Sequence, residues 1–160
     1  MSILKDPYVA PSRVKGVVRY LLAAKGQREK RDTLEALLSP DALINKGEDR
    51  KISRNMVQSN IRECIKMGLL EESEDGSVLS INPKLNLNEA SLPSVLVQLL
   101  LNTPDYTENH DFARVLAWYL AQDFFEAPGN WPQAEHHLRT QIGTDLLGLN
   151  DTRFGQFEDW

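Results

Sequence analysis

A chain of 160 residues with 41% hydrophobic content has room for one packed domain or two small ones, and 18 Lys and Arg against 23 Asp and Glu leave a net charge of -5. No apolar run approaches the roughly 20 residues that span a bilayer, and a lone cysteine, Cys64, excludes an intramolecular disulfide. The opening MSILKDPYVAPS lacks the apolar stretch of a secretory signal, so the cytoplasm is the expected compartment.

Residues 1–11 read as an extended arm bounded by Pro7 and Pro11. Ser12 is placed to cap a first helix over about residues 13–24, with Val14, Val17, Val18, Leu21 and Leu22 along one face and Gly26 as its stop. Gln27 to Arg31 is a polar, mostly basic connection. Asp32, with Glu35 three residues later, forms a capping-box pattern for a short second helix whose core face is Leu34, Leu37 and Leu38. Ser39-Pro40 interrupts it, and Ala42, Leu43 and Ile44 add one more turn. Residues 45–52, NKGEDRKI, are a polar connection longer than the tightest helix-turn-helix turn.

The most informative stretch is 53–81, SRNMVQSNIRECIKMGLLEESEDGSVLSI. Ser53 can cap a helix on which Val57, Ile61, Cys64 and Ile65 share a face, and Gly68 suits the left-handed residue that ends it. Leu69 and Leu70 open a strand, Asp75-Gly76 is a hairpin turn, Val78, Leu79 and Ile81 return, and Pro83 closes the second strand. This order resembles the recognition helix and wing of a winged helix-turn-helix. The other helix face carries Arg54, Asn55, Gln58, Ser59, Arg62 and Lys66, side chains that reach base edges and phosphates, with Glu63 as its one acid. Lys46, Arg50 and Lys51 are expected near the phosphates. Glu71, Glu72, Glu74 and Asp75 crowd the wing, and carboxylates repel phosphates, which argues against a basic wing contact of the usual kind.

Residues 82–92, NPKLNLNEASL, read as a linker, with a domain boundary near 88. Pro93 sits in the first turn of an apolar helix with Val95, Leu96, Leu99, Leu100 and Leu101, ended by Thr103-Pro104-Asp105. A helix over about 109–126 has Phe112, Val115, Leu116, Tyr119, Leu120 and Phe124 as its buried stripe, with Trp118 and Phe125 off it. Pro132 opens another helix to about 142, and Leu146, Leu147 and Leu149 cover a core edge. A last helix starts at Asn150, Asp151 or Thr152 and carries Phe154, Phe157 and Trp160. Ending on exposed aromatics suggests the front of a longer protein. The fold class is therefore mainly α, within α+β: a winged helix-turn-helix over 1–87 and a helical domain over 88–160. An incomplete second helix-turn-helix is the alternative for the latter.

Charge is divided between the halves. Residues 1–70 hold 14 bases and 8 acids, a net of +6, and residues 71–160 hold 4 bases and 15 acids, a net of -11, which together give -5. A basic part coinciding with the helix-turn-helix favours a nucleic-acid surface, and the acidic part suits some other partner. Chemistry is poorly served. His136 and His137 are adjacent, about 100° apart on a helix, and lack the i, i+4 spacing of a helical metal site. Asp105, Glu108 and Asp111 near His110 fit helix capping. Cys64 lies on an apolar face, and neither a phosphate-cradling glycine loop nor a nucleophile elbow is present. No catalytic residue, metal or cofactor is expected.

The helix RVKGVVRYLLAAKG, the segment TLEALLSPDAL, RNMVQSNIRECIKMGLL with its wing, and the C-terminal TRFGQFEDW together resemble DpdG-like proteins of bacterial gene clusters for 7-deazaguanine DNA modification and restriction. The resemblance implies a non-catalytic helix-turn-helix component of a phage-defence system. It carries over Arg54, Asn55, Gln58, Ser59 and Arg62 as recognition-helix positions. Two functions follow as expectations. One is contact with double-stranded DNA, as a subunit of a defence complex or as a transcriptional regulator. The other is a protein–protein interaction module that scaffolds a larger nucleic-acid-processing machine alongside other protein subunits, its acidic wing and C-terminal half suiting a basic partner. A homodimer through the apolar helix at 93–101 would suit paired half-sites.

Overall fold

The computed structural model describes residues 6, 8–41, 54–101, 111–143 and 149–159, which divide into two compact units, one running Tyr8–Leu99 and the other containing Leu100–Trp160. The expectations on Ser53, on Ala42, Leu43 and Ile44, on Lys46, Arg50 and Lys51, on Asp105, Glu108 and His110, on Leu146 and Leu147, and on Trp160 lie outside the described residues, as do the side chains of Asp111 and Phe112. The protein is mainly helical with a small antiparallel sheet, as the sequence predicts.

In the first unit, α1 (Pro11–Ala23) begins one to two residues earlier than the Ser12 cap predicts. Pro11 takes the first helical position, where its missing N–H is no loss, and Ala10 is the N-cap without a side-chain bond. Val14, Val17, Val18 and Leu21 are buried. Gly26 then takes a left-handed φ of +71° and turns the chain into β1 (Arg28–Lys30). This strand is absent from the sequence reading. Its residues Arg28, Glu29 and Lys30 offer no apolar alternation, and it is a strand because β3 supplies its ladder. Arg28 lies opposite Ser80 and Lys30 opposite Val78.

Pairing through Lys30 also corrects the start of α2 (Arg31–Leu38). The Arg31 N–H donates to Ser77 O at 2.9 Å, so the helix begins at Arg31 with Lys30 as N-cap, and Asp32 lies in the first turn rather than capping it. Helix α3 (Asn55–Lys66) ends as predicted: Gly68 is left-handed, its N–H donates to Ile65 O, and the Leu69 N–H reaches back to Cys64 O. Those two bonds form the Schellman closure that satisfies the last carbonyls. Strands β2 (Leu70–Glu72) and β3 (Val78–Ile81) form the predicted hairpin, giving a sheet of order β1-β3-β2. The succession α1-β1-α2-α3-β2-β3 is winged-helix-like. Leu34, Ile61, Cys64, Leu69, Leu70, Leu79 and Ile81 are buried, each aliphatic chain contributing about 1.5–3 kcal/mol by leaving water.

Helix α4 (Leu92–Leu101) buries Leu92, Leu96 and Leu100 at i, i+4 and i+8, while Val97 and Leu101 are exposed. The two units divide between Leu99 and Leu100, so most of α4 groups with the winged-helix-like part. The second unit comprises α5 (Asp111–Leu120), α6 (Trp131–Gln141) and α7 (Asp151–Asp159). Asn130 and Asn150 cap α6 and α7, accepting from the N–H groups of Gln133 and Arg153. Val115, Trp118, Ala134, Leu138 and Phe154 form the core, with Tyr119, Trp131, Leu149 and Phe157 packed against it. Phe157 meets Tyr119 edge-on with ring centroids 5.4 Å apart.

Here two sequence expectations exchange places. Helix α5 stops at Leu120, short of the predicted 126, so the apolar stripe ends before Phe124. The Phe125 N–H bonds to Asp123 Oδ1 in the turn that follows, and Phe124 and Phe125 stand 87% and 93% exposed. Trp118, placed off the stripe, is buried and donates its indole N–H to Gln141 Oε1 at 2.9 Å. Among the described residues, no helix is long and apolar enough to cross a membrane.

One buried polar side chain ties the start of the first unit to α3. Asn60 donates Nδ2 to Tyr8 O at 2.9 Å and to Met56 O at 2.7 Å, and its Oδ1 accepts from the Ala10 N–H at 3.3 Å. Asn60→Asp removes both donors and sets a carboxylate against two carbonyls in a buried site. Urea unfolding followed by circular dichroism is expected to read a loss of about 1–3 kcal/mol. An unchanged midpoint would remove Asn60 from that role.

Candidate nucleic-acid interface

The predicted DNA-facing residues of α3 separate into three groups. Arg54 and Gln58 hold α3 to what precedes it. Arg54 is the N-cap residue, ion-paired with Asp41 at 2.6 Å, and its Nε donates to Ser39 O at 3.4 Å. Gln58 donates Nε2 to Glu35 Oε2 at 2.8 Å, and Glu35, on α2, is itself buried. A charge-assisted bond to a buried carboxylate is stronger than a surface contact, so Gln58 fixes the angle of α3 against α2. Sequence reading placed Glu35 in a capping box and did not find this role. The signal available was an acid on an otherwise apolar face beside Leu34 and Leu38.

Ser59 and Glu63 face inward. Ser59 is 3% exposed and its hydroxyl accepts from an Arg62 guanidinium nitrogen at 3.1 Å. Glu63 was expected to be the acid of the DNA-facing surface, but it is 1% exposed and pairs with Lys66 at 3.3 Å. The correction has a simple cause: position 63 neighbours Cys64 on the packed side, and the Lys66 ammonium compensates the desolvated carboxylate. Burial above all, and the Glu63 carboxylate second, push the Cys64 thiol above its usual range, which removes it as a nucleophile.

Asn55, Arg62 and Lys66 remain as the exposed polar residues of the set, at i, i+7 and i+11 along one side, with Met56 also exposed. Arg62 folds back over the preceding turn, its Nε reaching Gln58 O at 3.4 Å as well as covering Ser59. Arg50 and Lys51, with Lys46, lie outside the described residues. The structure thus brings together a carboxamide and two cations on a helix held at fixed angle. Asn can pair with adenine, Arg with guanine and Lys with phosphate.

The wing places its acids unequally. Glu72 forms an ion pair with Arg31 at 2.7 Å. Asp75 faces into its own turn, where Oδ1 accepts from Ser73 Oγ at 2.7 Å, the Ser77 N–H at 3.0 Å and Ser77 Oγ at 2.8 Å. These donors, the Ser73 hydroxyl foremost, lower the Asp75 carboxyl from 3.8 to about 2. Glu71 and Glu74 are exposed. Among the described residues, no three His, Cys, Asp or Glu side chains are grouped to hold a metal ion. His136 and His137 stand with ring centroids 6.2 Å apart, and His137 Nδ1 lies 3.3 Å from Gln122 Oε1.

A lowered native value means that the stabilisation Asp75 gives the turn is complete above the ordinary carboxyl range and lost as pH falls toward 2. An NMR titration is expected to give the Asp75 carboxyl a midpoint near 2, with the Ser73 and Ser77 amides shifting in step. In Asp75→Asn those amides should stop titrating. A midpoint in the usual carboxyl range would mean that the turn is not built this way.

With this geometry in view, comparison with known proteins matches the chain to the family model described as DpdG-like over residues 1–160, the whole chain. No curated protein and no solved structure matches.

Proposed function

The chain belongs to the DpdG-like family, and from that premise we propose that it is the non-catalytic, DNA-contacting component of a bacterial 7-deazaguanine DNA modification and restriction system. The observation that carries this reading is the exposed row Asn55, Arg62 and Lys66 on a helix locked to its neighbour by Gln58 and Arg54. A helix that reads bases has to be held rigidly from behind while its outer side chains stay in solvent. The net of +6 over residues 1–70 adds the electrostatic attraction that sequence-independent binding requires.

Fluorescence anisotropy with a labelled random duplex at two salt concentrations tests the reading. The wild-type chain should bind, and binding should weaken steeply with salt. Asn55→Ala combined with Arg62→Ala should weaken it by about tenfold to a hundredfold without changing the circular dichroism spectrum, since each lost base contact costs about 1–3 kcal/mol. Arg54 and Gln58 are poor probes, because removing them loosens the helix itself. Unchanged affinity in the double variant would sink the assignment of α3 as the reading helix.

A second reading, an interaction module for other subunits of the same system, is favoured by one observation. Phe124 and Phe125 are stacked edge-on with centroids 5.4 Å apart and almost fully exposed, beside Leu120 at 73% and flanked by Asp123 and Glu126. Exposed aromatic pairs of this kind mark binding surfaces more often than single exposed residues do. Co-expressed with the other proteins of its gene cluster, the chain should co-purify with one of them, and Phe124→Ser with Phe125→Ser should release it. Retention by the folded double variant would remove these residues from the interface.

A further inference from the structure

The sheet of the first unit is electrically lopsided. Its central strand β3, Val78–Ile81, carries no charge. On one edge β2 presents Glu71 and Glu72. On the opposite edge β1 presents Arg28 and Lys30, with Lys25 in the turn just before it. Lys25, Arg28 and Lys30 are all exposed, and among the described residues none has a carboxylate within ion-pair distance. The acid between them does not neutralise them. Glu29 alternates to the other face of the strand, is half-buried, and accepts from the Tyr20 hydroxyl at 3.4 Å and from the Lys30 N–H at 2.8 Å.

The backbone that presents these cations is unusual. Gly26 and Gln27 both have positive φ, +71° and +52°. Gly26 adopts this at little cost, but Gln27 does not, and a non-glycine residue held left-handed is a local strain that the surrounding structure maintains. The turn sets Lys25 and Arg28 at the two ends of a tight bend, and the Arg28 side chain lies over Gly26, its Nε 3.8 Å from where a Cβ would stand. By contrast, the cations of α3 are partly engaged within the fold, Lys66 with Glu63 and Arg54 with Asp41. Edge strands often carry a lysine to discourage pairing with another chain. Three unneutralised cations within six consecutive positions around one strained turn exceed that need.

We propose that this edge, Lys25, Arg28 and Lys30, is a phosphate-backbone contact for duplex DNA, so that the sheet meets the duplex at its β1 edge and not at the acidic tip of the wing. The proposal rests on the DNA-contacting reading of α3 and adds a second, sequence-independent surface to it. It also accounts for an acidic tip in a protein that binds DNA. The tip and β2 face away from the phosphates, and Asp75 serves the turn that holds β3 in place for β1.

The test is the salt dependence of binding of the full chain to the random duplex, read as the slope of log K against log salt. Lys25→Gln, Arg28→Gln and Lys30→Gln together should flatten the slope by about two to three units, since each phosphate contact contributes about 0.9. Affinity at low salt should fall at least about tenfold. The exposed, unpaired side chains make this variant safe to fold, which a thermal melt verifies. Glu71→Gln with Glu74→Gln should leave the slope unchanged. If the triple variant keeps the wild-type slope while the wild type binds, the β1 contact is overturned and the α3 reading stands. A triple variant that self-associates with its slope intact assigns the cations to edge protection only, which also overturns it. If the wild type fails to bind at low salt, the DNA reading fails and takes this proposal with it.

Discussion

Strand β3 is hydrogen-bonded along both edges, to β1 on one side and to β2 on the other, and this double pairing is what the first unit depends on. Strand β1 comes directly before α2 and β2 shortly after α3, so one four-residue strand fixes where both helices attach to the sheet. Its inward residues Leu79 and Ile81 are buried together with Val14, Val18, Ile61 and Cys64 of the helices. The strand is held in turn by the hairpin at its start, where the Ser73 N–H bonds to Val78 O at 3.0 Å and Asp75 organises the tip. An acidic tip is thus first a structural device. A carboxylate that accepts three short bonds within its own loop sets a tight turn more firmly than a lysine or arginine at the same place could, because it supplies only acceptors to a loop full of donors.

Much of this was legible before the structure. Helices α1 and α3 announce themselves by apolar residues at helical spacing, Gly68 by its place at the end of one, and the hairpin by Asp75-Gly76 between two apolar runs. What was illegible has a common physical origin. Strand β1 has no pattern of its own and exists because a partner about fifty residues away completes its hydrogen bonds. The ties made by Arg54 and Gln58 depend on Asp41 and Glu35, thirteen and twenty-three residues earlier, whose positions no local period encodes. Helix α5 continues on paper through Phe124, but Asp123 offers its own acceptor to the backbone and the chain turns instead. Aspartate competes with helix for backbone donors in this way generally.

The same geometry changes how the polar residues of α3 should be weighed. A sequence shows six polar side chains on one helix and invites the view that all six face a ligand. In the fold they are layered. Gln58 and Arg54 form a rear support, Ser59 a hydroxyl covered by Arg62, and Asn55, Arg62 and Lys66 the outer row. A reading helix needs such layering, because specificity depends on side chains whose directions are set by neighbours, and a helix free to rock would blur every contact it made.

The Asn60 carboxamide gives this arrangement a reach beyond α3. It bonds Met56 O, next to the exposed Asn55, and also Tyr8 O and the Ala10 N–H ahead of α1. The chain entering the fold is therefore tied through one carboxamide to the outer end of α3, beside Tyr8, whose ring is half in solvent.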